Sequence, residues 1–330
     1  MDNDGEQYAV LEWDYDTEKR KIFIDNLAPI VLFTYNRLDH TKQTVEALKK
    51  NIYAEDSKLF IYSDAPKTEV VKEEVDHVRA YLHTIEGFKS ITIVERKENW
   101  GLARNIIDGV TRIVNEYGKI IVLEDDIVTS KCFLKYMNDG LEVYKNEEKV
   151  MAISSYFWTD NTEKLPETFF LQPFACWGWS TWKQDWDYFE RDPEKLTREF
   201  SDKEIYQFDI DGSGDFWSQV IDNKEGKLYT WAIFFFAAIF RQDGLVAYAK
   251  YNLSKNIGID GTGENCDVCT AYNTNVFENE IQRFSMQIQE NLLARKNAKE
   301  FFNSLKPSFY ERIYNKCKNI IKICKKEIKE

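Results

Sequence analysis

The chain has 330 residues, 43% of them apolar and 15% aromatic, with a formal net charge of −12. That apolar content excludes a disordered chain, and the acidic balance argues against broad nucleic-acid binding, which needs a basic surface. The first residues lack the basic-then-apolar pattern of a secretory signal, and the longest apolar run, Trp231–Phe240, falls short of the ~20 residues that a spanning helix takes.

Residues 1–28 are acidic and mixed and read as a leader or an edge element. Pro29–Tyr35 reads as a buried strand, Asn36–Asp39 as a turn and His40–Lys50 as a helix. Lys58–Tyr62 is a second strand, closed by Ser63-Asp64-Ala65-Pro66. Glu69–Thr84 follows as an amphipathic helix with Val71, Val75, Val78 and Leu82 on one face. Ser90–Glu95 is a third strand, Asn99–Leu102 a loop, Ala103–Tyr117 a helix and Ile120–Leu123 a fourth strand. Strands alternating with helices predict a parallel, doubly wound α/β sheet. The second half is less regular. Phe174–Trp186 holds four Trp, Asp209–Asp215 is acidic and Gly-rich, and Thr230–Phe240 is a buried helix or strand. Asn256–Gly263 is a Gly-rich loop, and helical character dominates from Asn275.

Six cysteines are scattered at 132, 176, 266, 269, 317 and 324. Cys266-x-x-Cys269 has the spacing of a zinc half-site or redox pair, but no second pair follows at zinc spacing, so reduced thiols in a cytoplasmic protein are the expectation.

The fourth strand runs straight into Glu124-Asp125-Asp126. Carboxylates at the carboxyl end of such a strand sit where open α/β sheets bind ligands. Three adjacent carboxylates repel one another, and a hard divalent cation with a taste for oxygen relieves that repulsion. A solvated acidic turn is the plainer alternative. Three further polar clusters also fall at strand carboxyl ends or in the loop beyond. These are Tyr35-Asn36-Arg37, Ser63-Asp64 and Asn99-x-Gly101-Leu102. Together they suit a nucleoside diphosphate, with Asp64 to hydrogen-bond the base or ribose and Arg37 plus a metal for the phosphates. Taken singly, Asn36 and Asp64 are ordinary turn formers.

These blocks, with Phe33–His40, Val122–Ser130, Phe133–Met137, Trp177–Trp182 and Asn256–Gly261, resemble a glycosyltransferase of the GT-A fold. The likeness is to bacterial family-2-like sugar transferases, more distantly to N-acetylglucosaminyltransferase I. It implies a nucleotide-sugar half over 29–130, an acceptor half over 131–275 and a helical extension over 276–330. It also implies transfer of a hexose or N-acetylhexosamine from a UDP-sugar to a glycan or lipid-linked glycan, with inversion by direct displacement. Asp126 would ligate Mn²⁺ or Mg²⁺, while Glu124 and Asp125 would lie against ribose and sugar. Arg37 would contact the nucleotide and Asp64 the uracil. Trp177-Gly178-Trp179 and Asp260 would flank the acceptor.

An inverting enzyme needs a general base for the acceptor hydroxyl. The resemblance would place it near Trp231–Phe234, which carries no carboxylate, so Asp215 is the best substitute, with Asp211 and Asp185 next. Two other classes compete. A sugar-phosphate nucleotidyltransferase needs a Gly-rich phosphate loop after the first strand, and Thr34–Arg37 has no Gly. A non-catalytic glycan-binding protein would use the Trp-rich segment as its platform. Finally, residues 306–330 carry a net charge of +5, and from Tyr310 to Lys329 apolar residues recur at helical spacing. Such a helix reads equally as an anchor on the inner membrane face or as a helix packed on protein.

Overall fold

A computed structural model describes residues 7–10, 17–261 and 270–306; the basic tail from 307 and the Cys266–Cys269 pair lie outside them. Eight strands form the central sheet: β1 (Ile30–Thr34), β2 (Lys58–Ser63), β3 (Ser90–Glu95), β4 (Lys119–Glu124), β5 (Val150–Ser154), β6 (Thr168–Leu171), β7 (Trp179–Trp182) and β8 (Leu245–Ala249). Their order across the sheet is β3-β2-β1-β4-β7-β5-β8-β6. Six run in one direction, while β7 and β6 run against them.

The continuous apolar runs of β1 and β4 have a direct structural reason. Both faces of these strands are covered. Val31 and Phe33 of β1 join Ile120 and Val122 of β4 in a core with Ile106 and Val110 of the helix Leu102–Tyr117. The alternate residues Ile30, Leu32, Ile121 and Leu123 join a second core with Val45, Leu48, Val78 and Leu82 of the helices Leu38–Leu48 and Lys72–Leu82. Neither face can be polar, so the two-residue alternation of a half-exposed strand is missing. Each such side chain contributes about 1.5–3 kcal/mol when fully buried.

The Trp-rich half is a second store of aromatic packing. Trp179 stacks on Trp231 with ring centroids 5.2 Å apart, and Trp186, Phe174 and Phe235 close around them. Thr230–Phe240 resolves as a helix, Ala232–Arg241, apolar almost all round and buried on most of its surface. Beyond 275, Phe284–Ser285 pairs with Tyr8–Ala9, and the helix Leu292–Leu305 sends Ala294, Ala298 and Phe302 into the same core as the Trp cluster. Among the described residues no helix is long and apolar enough to cross a membrane.

Candidate active site

Because β1, β2 and β4 are parallel and in register, their carboxyl ends lie side by side, and a cleft of about 490 Å³ opens there. One wall carries Tyr35, Asn36, Arg37, Asp64, Asn99, Gly101, Leu102, Glu124, Asp125 and Asp126. The four polar clusters of the first half therefore meet in one place. The opposite wall comes from the irregular half: Cys176, Trp177, Gln219, Tyr229, Thr230, Trp231 and Ala232.

The reversed strand brings that second wall in. β7 pairs antiparallel with β4, with Val122 opposite Trp179. The chain leading into β7 therefore passes the edge where β4 ends, and Trp177 reaches the cleft. Gly178 sits there at φ +84°, and a Cβ would stand 2.6 Å from Ser155 Oγ. Only glycine fits that approach.

Asp64 is buried, and its carboxylate is a hub. Oδ1 accepts the N–H groups of Ala65 and Trp100, both at 2.9 Å; Oδ2 accepts the N–H of Gly101 at 2.8 Å and the Asn99 amide at 3.2 Å. Asn99 also donates to the Ala65 carbonyl at 2.7 Å. The loop before the helix Leu102–Tyr117 is thereby tied to the end of β2.

At the end of β4, Nη2 of Arg37 donates to Asp126 Oδ2 at 2.8 Å and also pairs with Asp125. The loop is braced from both sides. Thr44 Oγ1 donates to the Asp125 carbonyl at 2.8 Å, and the Asp126 carbonyl accepts the N–H of Ile257 at 2.9 Å. Two polar atoms here, Asp125 Oδ2 and Arg37 Nη1, are buried with no partner. Burial pushes the Glu124 carboxyl well up from its ordinary value, and the charges of Asp126 and Asp125 push the same way against Arg37. Burial also raises Asp125, with Arg37 pulling it down. Burial works against the Arg37 charge, but Asp125 and Asp126 more than offset it, so the guanidinium stays charged. Three carboxylates against one guanidinium leave the cluster short of positive charge, and their oxygens are the hard donors that Mg²⁺ or Mn²⁺ takes. Among the described residues no three His, Cys, Asp or Glu side chains form a ready-made metal cage.

The profile of glycosyl transferase family 2 matches residues 30–206, from β1 through both walls' first elements. The chain belongs to that family. It is a glycosyltransferase with the GT-A fold: a mostly parallel sheet, helices around it and a C-terminal helix. No curated protein matches it. Among solved structures it is similar to the mannosyltransferase PcManGT from Pyrobaculum calidifontis in complex with GDP-Man and Mn²⁺, at 10% identity over 66% of this chain and 69% of that one, TM-score 0.37. It is also similar to S. aureus TarS, at 12% identity over 51% of this chain and 31% of that one, TM-score 0.35. A third is GlyE of Streptococcus pneumoniae TIGR4, at 11% identity over 68% and 45%, TM-score 0.31.

Several expected site residues of this glycosyltransferase lie elsewhere. Trp179 is 1% exposed and stacks in the core, because its position on β7 points it at Trp231 rather than at the cleft. Asp211 lies outside the cleft, bonded to Arg295 at 3.0 Å and Lys299 at 3.1 Å. Those hydrogen bonds, Arg295 first, hold its carboxyl below the ordinary value. It anchors the helix Leu292–Leu305. Asp260 is exposed, pairs with His40 at 3.2 Å and does not line the cleft. Asp185 is buried in the helix Lys183–Trp186 and does not line the cleft. Asp215 is exposed at the start of the helix Phe216–Lys224, whose Gln219, one turn on, does line it. Lys67, Gln219, Tyr229 and Thr230 are cleft residues that no motif announces, since each stands alone among dissimilar neighbours.

Proposed function

We propose that this glycosyltransferase moves a hexose or N-acetylhexosamine from a UDP-sugar to a glycan or lipid-linked glycan, with inversion, using Mn²⁺ or Mg²⁺ on the donor diphosphate. The observation that carries the reading is the strand-end cluster. Asp125 and Asp126 share a single guanidinium beside Glu124, and one buried Asp125 oxygen lacks a donor. Such cations are commonly held by one or two carboxylates completed by substrate phosphate and water, which suits a site without a full protein cage.

In this reading Asp126 holds the ion, and Asp125 Oδ2 accepts from a ribose hydroxyl. When bound, the cation stabilises the charge that develops on the departing diphosphate. Arg37, already on the same carboxylates, adds a second positive charge beside those oxygens. Asp64 has its oxygens engaged, so its part in base recognition is to fix Asn99 and the Trp100–Gly101 backbone, with Tyr35 and Lys67 beside them. Asp215 is the proposed base for the acceptor hydroxyl, since it opens the helix that brings Gln219 to the cleft.

The test is calorimetric titration of UDP and GDP with and without Mn²⁺, on the native chain and on Asp126→Ala. The expected result is UDP binding at least about tenfold tighter with Mn²⁺, and no such gain in the variant. Equal, metal-independent binding in both proteins overturns the assignment. A gain with GDP alone overturns the uridine.

A further inference from the structure

Tyr229 is 58% exposed, an unusual state for a large ring at the rim of a cleft. It is nevertheless held in place. The Arg191 guanidinium lies over it, 3.6 Å from the ring centroid. Arg191 is itself pinned, with Nε donating to the Thr230 carbonyl at 3.0 Å and Nη2 to Asn223 Oδ1 at 2.7 Å. No carboxylate among the described residues lies within ion-pair range of it. Burial pushes this guanidinium down from its ordinary value. Arg191 thus backs one face of the ring through cation–π contact, and the exposed remainder of Tyr229 borders the cleft.

From this arrangement we infer that Tyr229 is the stacking platform for the acceptor, and that the acceptor residue it takes is an uncharged sugar ring. The inference rests on the glycosyl-transfer reading and names the substrate class of its second wall. An aromatic face with a polar edge suits the C–H face of a pyranose. The neighbouring Gln219 and Thr230 supply an amide and a hydroxyl for sugar hydroxyls. A phosphorylated or carboxylated ring would look for a cation on this wall. Arg191 has two of its donor groups on Thr230 and Asn223 and its face on Tyr229, and the other residues of the wall are neutral.

The experiment is saturation-transfer NMR on the full chain with UDP and Mn²⁺ present. The probes are methyl glycosides of glucose, galactose, N-acetylglucosamine and glucuronic acid, with farnesyl phosphate as a lipid control. UDP binding is measured in the same samples. Saturation of ring C–H protons of at least one neutral glycoside is expected. That signal is lost in Tyr229→Ala and kept in Tyr229→Phe, with UDP affinity unchanged in both. Once an acceptor is in hand, Tyr229→Ala raises its KM by about tenfold with little change in donor KM. No neutral-glycoside signal, a signal indifferent to Tyr229→Ala, or a preference for glucuronoside or farnesyl phosphate overturns the platform. Loss of UDP binding in the native chain overturns the donor reading beneath it.

Discussion

Gly258 stands against Asp126 so closely that a Cβ would lie 2.1 Å from Oδ2 and 2.8 Å from Arg37 Nη1. The strand pair Ser254–Asn256 with Ile127–Thr129 holds the two loops at that separation. Gly258→Ala is expected to displace Asp126 and lower stability by about 1–3 kcal/mol. Metal-dependent UDP binding falls with it. Thermal unfolding and calorimetric titration of the same sample check both.

Arg37 is the only cation in contact with the acidic loop among the described ion pairs. Arg37→Ala leaves Asp125 and Asp126 uncompensated and costs about 3–5 kcal/mol at neutral pH. Mn²⁺ should raise the melting temperature more in the variant than in the native chain, because the ion then meets no resident competitor. Equal shifts in both would separate Arg37 from the ion's site.

Asp185 gives a pH signature. Burial pushes its carboxyl up to about 7, and Oδ2 has no partner. The folded chain therefore keeps a proton that the unfolded chain loses near pH 4, and stability falls as pH rises between those values. Asp185→Asn removes this penalty and is expected to stabilise the protein at pH 8 by about 1–3 kcal/mol. It should do little at pH 4. Urea melts across that range test the slope.

Asp64→Ala leaves the N–H groups of Trp100 and Gly101 without their acceptor. Each unpaired donor costs about 1–3 kcal/mol where it stays buried. Amide exchange at 100 and 101 should quicken, and UDP affinity should drop without loss of the overall fold.

Asp211 and Asp215 separate in a paired experiment. Asp211→Asn weakens the hold on Arg295 and Lys299 and lowers stability while leaving turnover per folded molecule intact. Asp215→Asn is expected to leave UDP binding and stability unchanged and to cut transfer by about 10²-fold or more. Measured transfer unaltered by Asp215→Asn removes it as the base.

The parallel half was readable because burial on both faces forces uninterrupted apolar runs. Ile30–Leu32 and Ile120–Leu123 could be little else, and the polar residues after them had to share an edge. Trp179 shows where that logic stops. A tryptophan in sequence looks the same whether it stacks on Trp231 or on a sugar, and only the register of β7 against β4 decides. Asp211 misleads in a similar way: its partners are 84 and 88 residues away on the C-terminal helix. Tyr229 gives no signal because its significance lies in a guanidinium 38 positions earlier, not in any neighbour along the chain.

The reversal of β7 has an evolutionary corollary. A strand running backwards presents its approach segment at the edge where its neighbours present their exits. Cys176 and Trp177 of the second wall thus precede β7, whereas the carboxylates follow β4, and the two strands are paired through their backbones. Side chains at Cys176 and Trp177, which line the cleft, can change without altering that ladder. In the reading proposed above, acceptor preference can drift at these two positions while Glu124–Asp126 stay fixed.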